Sequence, residues 1–142
     1  MRKGRALLVT AATLSLLVGL VAPASADTAY ASCGTSVPFF GHFSAEGQAH
    51  YYIDGAQDRV FTDYDYILHG GNDKSNMYIS VEGLDGFWYG VYGSPDDRHA
   101  GEWYHADGEV AVPSYFEPNV AFEAVFDIFG PDPRCTARTS PL

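Results

Sequence analysis

The chain has 142 residues, and its 18 Asp and Glu side chains against eight Lys and Arg give a formal net charge of −10 at pH 7. This length predicts one domain, and the acidic balance argues against binding of nucleic acid or anionic membranes, which requires clustered Lys and Arg. The sequence contains no Gly-x-Ser-x-Gly, Ser-x-x-Lys or His-Glu-x-x-His motif and no phosphate-binding glycine loop. We therefore assign no catalytic residues from motifs.

The first 26 residues are typical of a secretory signal peptide. Basic residues at positions 2, 3 and 5 precede an apolar run over 6–22, and Ala24-Ser25-Ala26 supplies the small residues of a cleavage site. We predict removal of residues 1–26 and secretion of residues 27–142 as a single β-sandwich domain without a membrane anchor. Because the leader contains three basic and no acidic residues, the secreted chain would carry five basic and 18 acidic side chains, a net charge near −13.

The chain has two cysteines, Cys33 and Cys135. In a secreted protein two cysteines have one intramolecular pairing, so we predict a Cys33–Cys135 disulfide. The bond would close a loop of roughly 100 residues and thereby restrict the unfolded chain. It would also exclude either cysteine as a catalytic nucleophile.

After the leader, apolar residues alternate with a period of two, and glycine-rich turns interrupt the alternation. In chain order, we predict strands at 37–43, 49–53, 60–69, 76–82, 87–92, 102–112, 119–129 and 135–139. The segment 102–112 is predicted to be a hairpin, because Asp107-Gly108 is a favoured type I′ turn. The pattern indicates an all-β fold, an antiparallel β-sandwich or small barrel of about seven to nine short strands.

All 21 aromatic residues follow the leader. In the strand predicted at 87–92, alternation directs Phe87, Tyr89 and Val91 toward the core. Trp88 and Tyr92 then point outward, and Gly90 leaves a gap between their rings. Exposed rings of this kind stack on sugars or anchor protein interfaces, although the same rings could be core residues. The predicted binding residues are Trp88, Tyr92, Trp103 and Tyr78.

Clustered carboxylates indicate one cofactor alternative. Asp63 and Asp65 lie in an acidic stretch, and Asp73 follows a Gly-Gly turn, so these three could bind calcium through loop oxygens. The alternative is that they are solvated turn residues. A zinc ion shared by His99, Glu102 and His105 is a further arrangement, but we favour the alternative of two surface histidines that flank a turn. We predict no cofactor, with calcium as the one alternative.

These observations favour a secreted, monomeric, non-catalytic binding domain whose ligand is a glycan or an extracellular protein. One alternative is an inhibitor or other partner of a secreted enzyme, with segment 94–101 as a protruding contact loop. Another is a small hydrolase that uses two carboxylates about 5–10 Å apart. Glu82 and Glu123 are the candidate pair for that hydrolase, provided that their strands are neighbours.

Overall fold

The computed structural model describes residues 25–142, so the predicted leader, apart from its last two residues, lies outside the described part of the chain. The described residues form eight strands, and the predicted β-sandwich is confirmed. The strands are β1 (Asp27–Val37), β2 (Gly41–Ile53), β3 (Asp58–His69), β4 (Asn76–Glu82), β5 (Trp88–Gly93), β6 (Trp103–Pro113), β7 (Asn119–Val125) and β8 (Arg134–Arg138). A short 3₁₀ turn, Ser114–Phe116, connects β6 to β7. Within residues 25–142, no helix is long and apolar enough to cross a membrane.

The strands form two antiparallel sheets. Sheet I has the strand order β1-β2-β3-β6, and sheet II has the order β5-β4-β7-β8. The edge strands β1 and β8 contact each other on one side of the sandwich, and β5 and β6 do so on the other. The Cys33–Cys135 disulfide joins β1 to β8, with the two Cα atoms 5.8 Å apart, and this confirms the predicted pairing.

The core lies between the inner faces of the two sheets. Along β2 the buried positions alternate with exposed ones, as expected when one face of a strand packs inward. Gly47 of β2 lies directly under the ring of Phe122 in β7, where any Cβ would come within 2.5 Å of that ring. Tyr64 of β3 meets the same ring edge-on, with centroids 6.5 Å apart. A glycine therefore sets the close approach of the two sheets at their centre.

Two strand predictions are wrong, and one strand was not predicted. The segment 37–43 is not one strand: residues 38–40 form the turn between the end of β1 and the start of β2, and Phe39 in this turn has a φ of 71°. β1 itself, which begins at Asp27, was not predicted, because its small polar residues show no clear alternation. The predicted hairpin over 102–112 is one continuous strand, in which Asp107 pairs with Asp63 of β3. Gly108 accommodates the side chain of Val91 from β5 and forms no turn.

Candidate functional site

A shallow groove of about 270 Å³ crosses the outer face of sheet II. We call it the sheet II groove. Its walls and floor come from all four strands: Tyr78, Ile79 and Ser80 of β4, Trp88, Gly90 and Tyr92 of β5, Ala121 and Glu123 of β7, and Thr136 and Arg138 of β8. The groove is open, because small side chains occupy the middle of this face.

The position of each aromatic ring follows from strand register. Ser80 of β4 pairs with Gly90 of β5, and Trp88 lies two residues from Gly90 on the same face. Tyr78 lies two residues from Ser80 in the opposite direction, so the two rings stand about 13 Å apart along the strands. Trp88 is 66% exposed and Tyr78 is 46% exposed. Between them, a Cβ at Gly90 would meet no atom within 4 Å.

Charged groups occupy the β7–β8 side of the groove. Arg138 donates two hydrogen bonds to the buried carboxylate of Glu82, at 3.0 and 3.2 Å. These bonds raise the pKa of Arg138, while burial acts in the opposite direction and the nearby charges of Glu82 and Glu123 raise the pKa further. Arg134 donates to Glu123 at 3.1 Å. The groove therefore presents hydrogen-bond donors and acceptors that are held in place by their own ion pairs.

The carboxylate pair considered for a hydrolase is not brought together. β4 and β7 are neighbours, but Glu82 pairs with Asn119, whereas Glu123 pairs with Tyr78. The two glutamates are therefore four positions apart, roughly 13 Å along the strands. This separation exceeds the spacing that either glycosidase mechanism uses.

Three of the four predicted binding residues, Trp88, Tyr78 and Tyr92, line the sheet II groove. Trp103 begins β6 and lies on the outer face of sheet I, away from that groove. The predicted outward orientation of Tyr92 is wrong: although it borders the groove, its hydroxyl lies 3.3 Å from that of Tyr66 in the other sheet. A bulge shifts the β4–β5 register between Ile79 and Ser80 and turns the Tyr92 ring inward.

Phe87, predicted to face the core, lies in the turn before β5 and is exposed. Alternation alone could not place it, because the strand begins one residue later, at Trp88. Tyr89 and Val91 do pack against the core.

A second group of functional side chains lies on the outer face of sheet I. We call it the His–Asp cluster: His50 of β2, Asp63 and Asp65 of β3, and His105 and Asp107 of β6. His50 Nε2 lies 2.9 Å from Asp65 Oδ2 and 3.8 Å from Asp63 Oδ1. His105 lies 2.8 Å from Asp65 through Nδ1 and 3.3 Å from Asp107 through Nε2.

The pKa values of two members reflect these contacts. Burial by itself raises the pKa of Asp65, but hydrogen bonds from His105 and His50, with their positive charge, lower it below its ordinary value. The hydrogen bond to Asp65 raises the pKa of His105, and Asp107 adds to the increase. Asp65 is therefore the common acceptor for both imidazoles.

The structure brings together Asp63 and Asp65 of the predicted calcium set, but it places Asp73 in the loop after β3. There an oxygen of Asp73 lies 3.0 Å from Nδ1 of His99, a histidine outside the His–Asp cluster. The donor atoms of His99, Glu102 and His105 do not converge as a zinc site requires, and His105 instead contacts Asp65 and Asp107. Sequence reasoning missed His50 as a member, since only the β2–β3 register places it beside Asp63.

Comparisons with models of known protein families, with curated protein sequences and with solved structures find no match. The class that the fold itself defines is an all-β sandwich of two four-stranded antiparallel sheets joined by one disulfide.

Proposed function

We propose that the protein is a secreted, non-catalytic binding domain that holds an extended glycan chain in the sheet II groove. The observation that carries this proposal is the pair of exposed rings, Trp88 and Tyr78, on either side of a floor of small residues. Tyrosine and tryptophan rings combine a flat apolar face with a polar edge, which suits the C–H faces and hydroxyl groups of sugars.

The shape of the groove favours a chain segment over a compact ligand. Its volume of about 270 Å³ lies below the range for small-molecule pockets, roughly 300–1,000 Å³. The two rings are about 13 Å apart along the strands, so one compact molecule would not contact both. A glycan chain that extends past both ends of the groove would.

The polar groups of the groove supply orientation. The guanidinium of Arg138 is half-exposed, and Glu123 lies beside it in the groove lining. Groups that are already oriented by ion pairs lose little side-chain entropy when they bind a hydroxyl group. Arg138 and Glu123 would therefore select among sugars by the positions of the sugar hydroxyl groups. The rings of Trp88 and Tyr78 would supply contact area that depends little on which sugar is bound.

One observation favours a protein partner as a second candidate. Two exposed apolar side chains, Leu84 and Phe87, lie in the connection before Trp88, and a third, Tyr115, lies in the 3₁₀ segment that contacts this connection. The Leu84 amide donates to the carbonyl of Phe116 at 2.8 Å, which holds that connection against the 3₁₀ segment. An exposed apolar patch is typical of protein contact surfaces.

The loop considered for an inhibitor is held against the body of the domain. Within segment 94–101, the Ser94 amide bonds to Met77, the Arg98 amide to Ser75 and the Gly101 amide to Leu68. The guanidinium of Arg98 also lies 4.4 Å from the ring centroid of Tyr104. These contacts favour the groove and the apolar connection over this loop as contact surfaces.

Secretion is supported by the disulfide, because such bonds persist in oxidising compartments outside the cytosol. It is also supported by the leader sequence, and β1 begins at Asp27, the first residue after the predicted cleavage site.

The test is retention of the purified protein on insoluble cellulose, chitin and xylan, together with a glycan array. We expect saturable binding to one glycan class and a loss of at least tenfold in affinity for Trp88→Ala. Gly90→Val should have a similar effect, because its side chain would fill the open space above the floor. Thermal midpoints should change little, since Trp88 is largely exposed.

Trp103→Ala is the matched control, because it removes an exposed tryptophan from the opposite sheet. Its glycan affinity should equal that of the wild type. Absence of binding to all these glycans, or equal losses for Trp88→Ala and Trp103→Ala, would contradict the proposal. If Phe87→Ala removes capture of a protein from culture medium while no glycan binds, the protein-partner alternative is the correct one.

A further inference from the structure

The His–Asp cluster lies on sheet I, on the opposite outer face from the proposed glycan groove, which uses none of its side chains. We propose that His50, Asp63 and Asp65 bind a divalent transition-metal ion such as Zn²⁺. One donor atom from each of these three residues lies within 4.8 Å of the other two. An imidazole nitrogen and two carboxylate oxygens form a donor set that suits zinc.

The spacing of the donor atoms fits such an ion. Around a tetrahedral zinc ion with bonds of about 2.0–2.1 Å, ligand atoms lie roughly 3.3 Å apart. The Nε2 atom of His50 lies 2.9 Å from one oxygen of Asp65 and 3.8 Å from one oxygen of Asp63. The two distances lie on either side of the ideal value, so small side-chain rotations would complete the geometry.

Neighbouring side chains already orient two of the ligands. The Nδ1 atom of His50 lies 3.0 Å from the hydroxyl oxygen of Thr28 in β1. When the N–H group at Nδ1 donates a hydrogen bond to the Thr28 hydroxyl, Nε2 carries no proton and presents its lone pair to the ion. The second oxygen of Asp65 accepts a hydrogen bond from His105 at 2.8 Å. Partners of this kind fix the ligands of protein metal sites and strengthen binding.

A β-bulge places the ligands of adjacent strands side by side. At Thr62 the register of β3 shifts relative to both β2 and β6. The Thr62 hydroxyl lies 2.6 Å from Asp63 Oδ2 and 3.3 Å from the carbonyl oxygen of His50. Bulges re-aim side chains and are common next to functional sites. This bulge sets Asp63 opposite His50 in the pairing.

The charge and the number of donors select the type of ion. Three carboxylates and two imidazoles meet here, so the carboxylates outnumber the imidazoles, and a dication would offset the excess negative charge. Calcium takes six to eight oxygen ligands, whereas Asp63 and Asp65 supply at most four. The three protein ligands leave at least one position of a zinc ion for water or an exogenous ligand.

The chain contains matched controls. His69 with Glu46 and His99 with Asp73 are also imidazole–carboxylate pairs, with contacts of 3.2 and 3.0 Å. Among the described residues 25–142, the group of His50, Asp63 and Asp65 is the one whose donor atoms converge in threes. His69→Ala therefore removes a histidine of the same sheet without removing a proposed ligand.

The experiment is a titration of the purified protein with zinc chloride, followed by calorimetry and by tryptophan fluorescence. Trp103 lies two residues from His105 on the same strand, and the chain has two tryptophans. In a Trp88→Phe background, Trp103 alone reports on this face. We expect one zinc ion per chain, a loss of at least 100-fold in affinity for His50→Ala or Asp65→Asn, and a loss of about tenfold for Thr28→Val.

His69→Ala should bind zinc within twofold of the wild type, and a tenfold excess of calcium should not displace the zinc. Circular dichroism without metal checks the folding of each variant, and His50→Gln replaces His50→Ala if that variant unfolds. The proposal is overturned if zinc does not bind saturably, if binding survives both His50 substitution and Asp65→Asn, or if His69→Ala has an equal effect. These outcomes do not depend on glycan binding.

Discussion

The hydroxyl oxygens of Tyr66 in β3 and Tyr92 in β5 lie 3.3 Å apart and connect the two sheets on the side away from the disulfide. Arg98 extends this contact by donating a hydrogen bond to Tyr92 at 3.1 Å. Tyr64 lies two residues before Tyr66, on the same face of β3, but differs from it in one respect. Its hydroxyl is buried and has no hydrogen-bond partner among residues 25–142.

This difference predicts opposite effects of the same substitution. Tyr64→Phe removes an unsatisfied buried hydroxyl and should raise the free energy of unfolding by about 1 kcal/mol, whereas Tyr66→Phe removes a bonded one and should lower it by about 1 kcal/mol. Urea denaturation of both variants and the wild type measures the changes. Equal changes of the same sign in both variants would contradict the structural difference.

The buried tyrosines also predict alkaline instability. Burial raises the pKa of Tyr64 well above its ordinary value, and burial together with the contact to Tyr92 does the same for Tyr66. In the unfolded chain a tyrosine ionises near pH 10, so stability due to these groups is complete below pH 10 and is lost as pH rises above it. Denaturation at pH 8, 9, 10 and 11 should show a constant free energy of unfolding at first and a decrease above pH 10.

The double variant Tyr64→Phe with Tyr66→Phe provides the control for alkaline instability. It should lose less stability between pH 9 and pH 11 than the wild type does. An equal decrease in both proteins would assign the effect to other groups.

The disulfide predicts a large dependence on redox state. Cys33 and Cys135 close a loop with a sequence separation of 102, and the chain-entropy estimate for such a loop is about 4–5 kcal/mol. Replacement of both cysteines by alanine should lower the free energy of unfolding by about this amount. Dithiothreitol should destabilise the wild type similarly and leave the double variant unchanged, and an effect on both would indicate another cause.

Two glycines predict contrasting outcomes for the same added methyl group. At Gly47 a Cβ would overlap the ring of Phe122, so Gly47→Ala should cost about 1–3 kcal/mol of stability. At Gly90 the same group meets open space, so Gly90→Ala should change stability by less than about 0.5 kcal/mol. Thermal denaturation of the two variants measures the difference. A Gly47→Ala protein as stable as the wild type would show that the close approach of the Phe122 ring does not require a glycine at position 47.

Local sequence pattern predicts individual strands well where one face is buried. β4 begins and ends at the predicted residues, because Met77, Ile79 and Val81 alternate with exposed or polar neighbours. β1 has no such signal, since it is an edge strand whose residues are small and partly exposed. Asp107-Gly108 has the local preference of a turn, but cross-strand pairing with β3 overrides it and keeps the chain extended.

The candidate sites depend on relationships that local pattern does not contain. Trp88 and Tyr78 could be predicted as outward residues, but their common groove requires β4 and β5 to be neighbours. Trp103 has an equally exposed ring, yet strand order places it on the other sheet. The His–Asp cluster likewise requires a register that pairs His50 with Asp63 across a bulge.

The position of the disulfide has a mechanical consequence. Cys33 lies in the first strand and Cys135 in the last, so tension applied at residues 25 and 142 passes through the covalent bond. The residues between the cysteines, which include every residue of the sheet II groove except Thr136 and Arg138, carry none of that load. Under tension applied at residues 25 and 142, the domain would therefore stretch by only the few residues outside the loop before a covalent bond had to break.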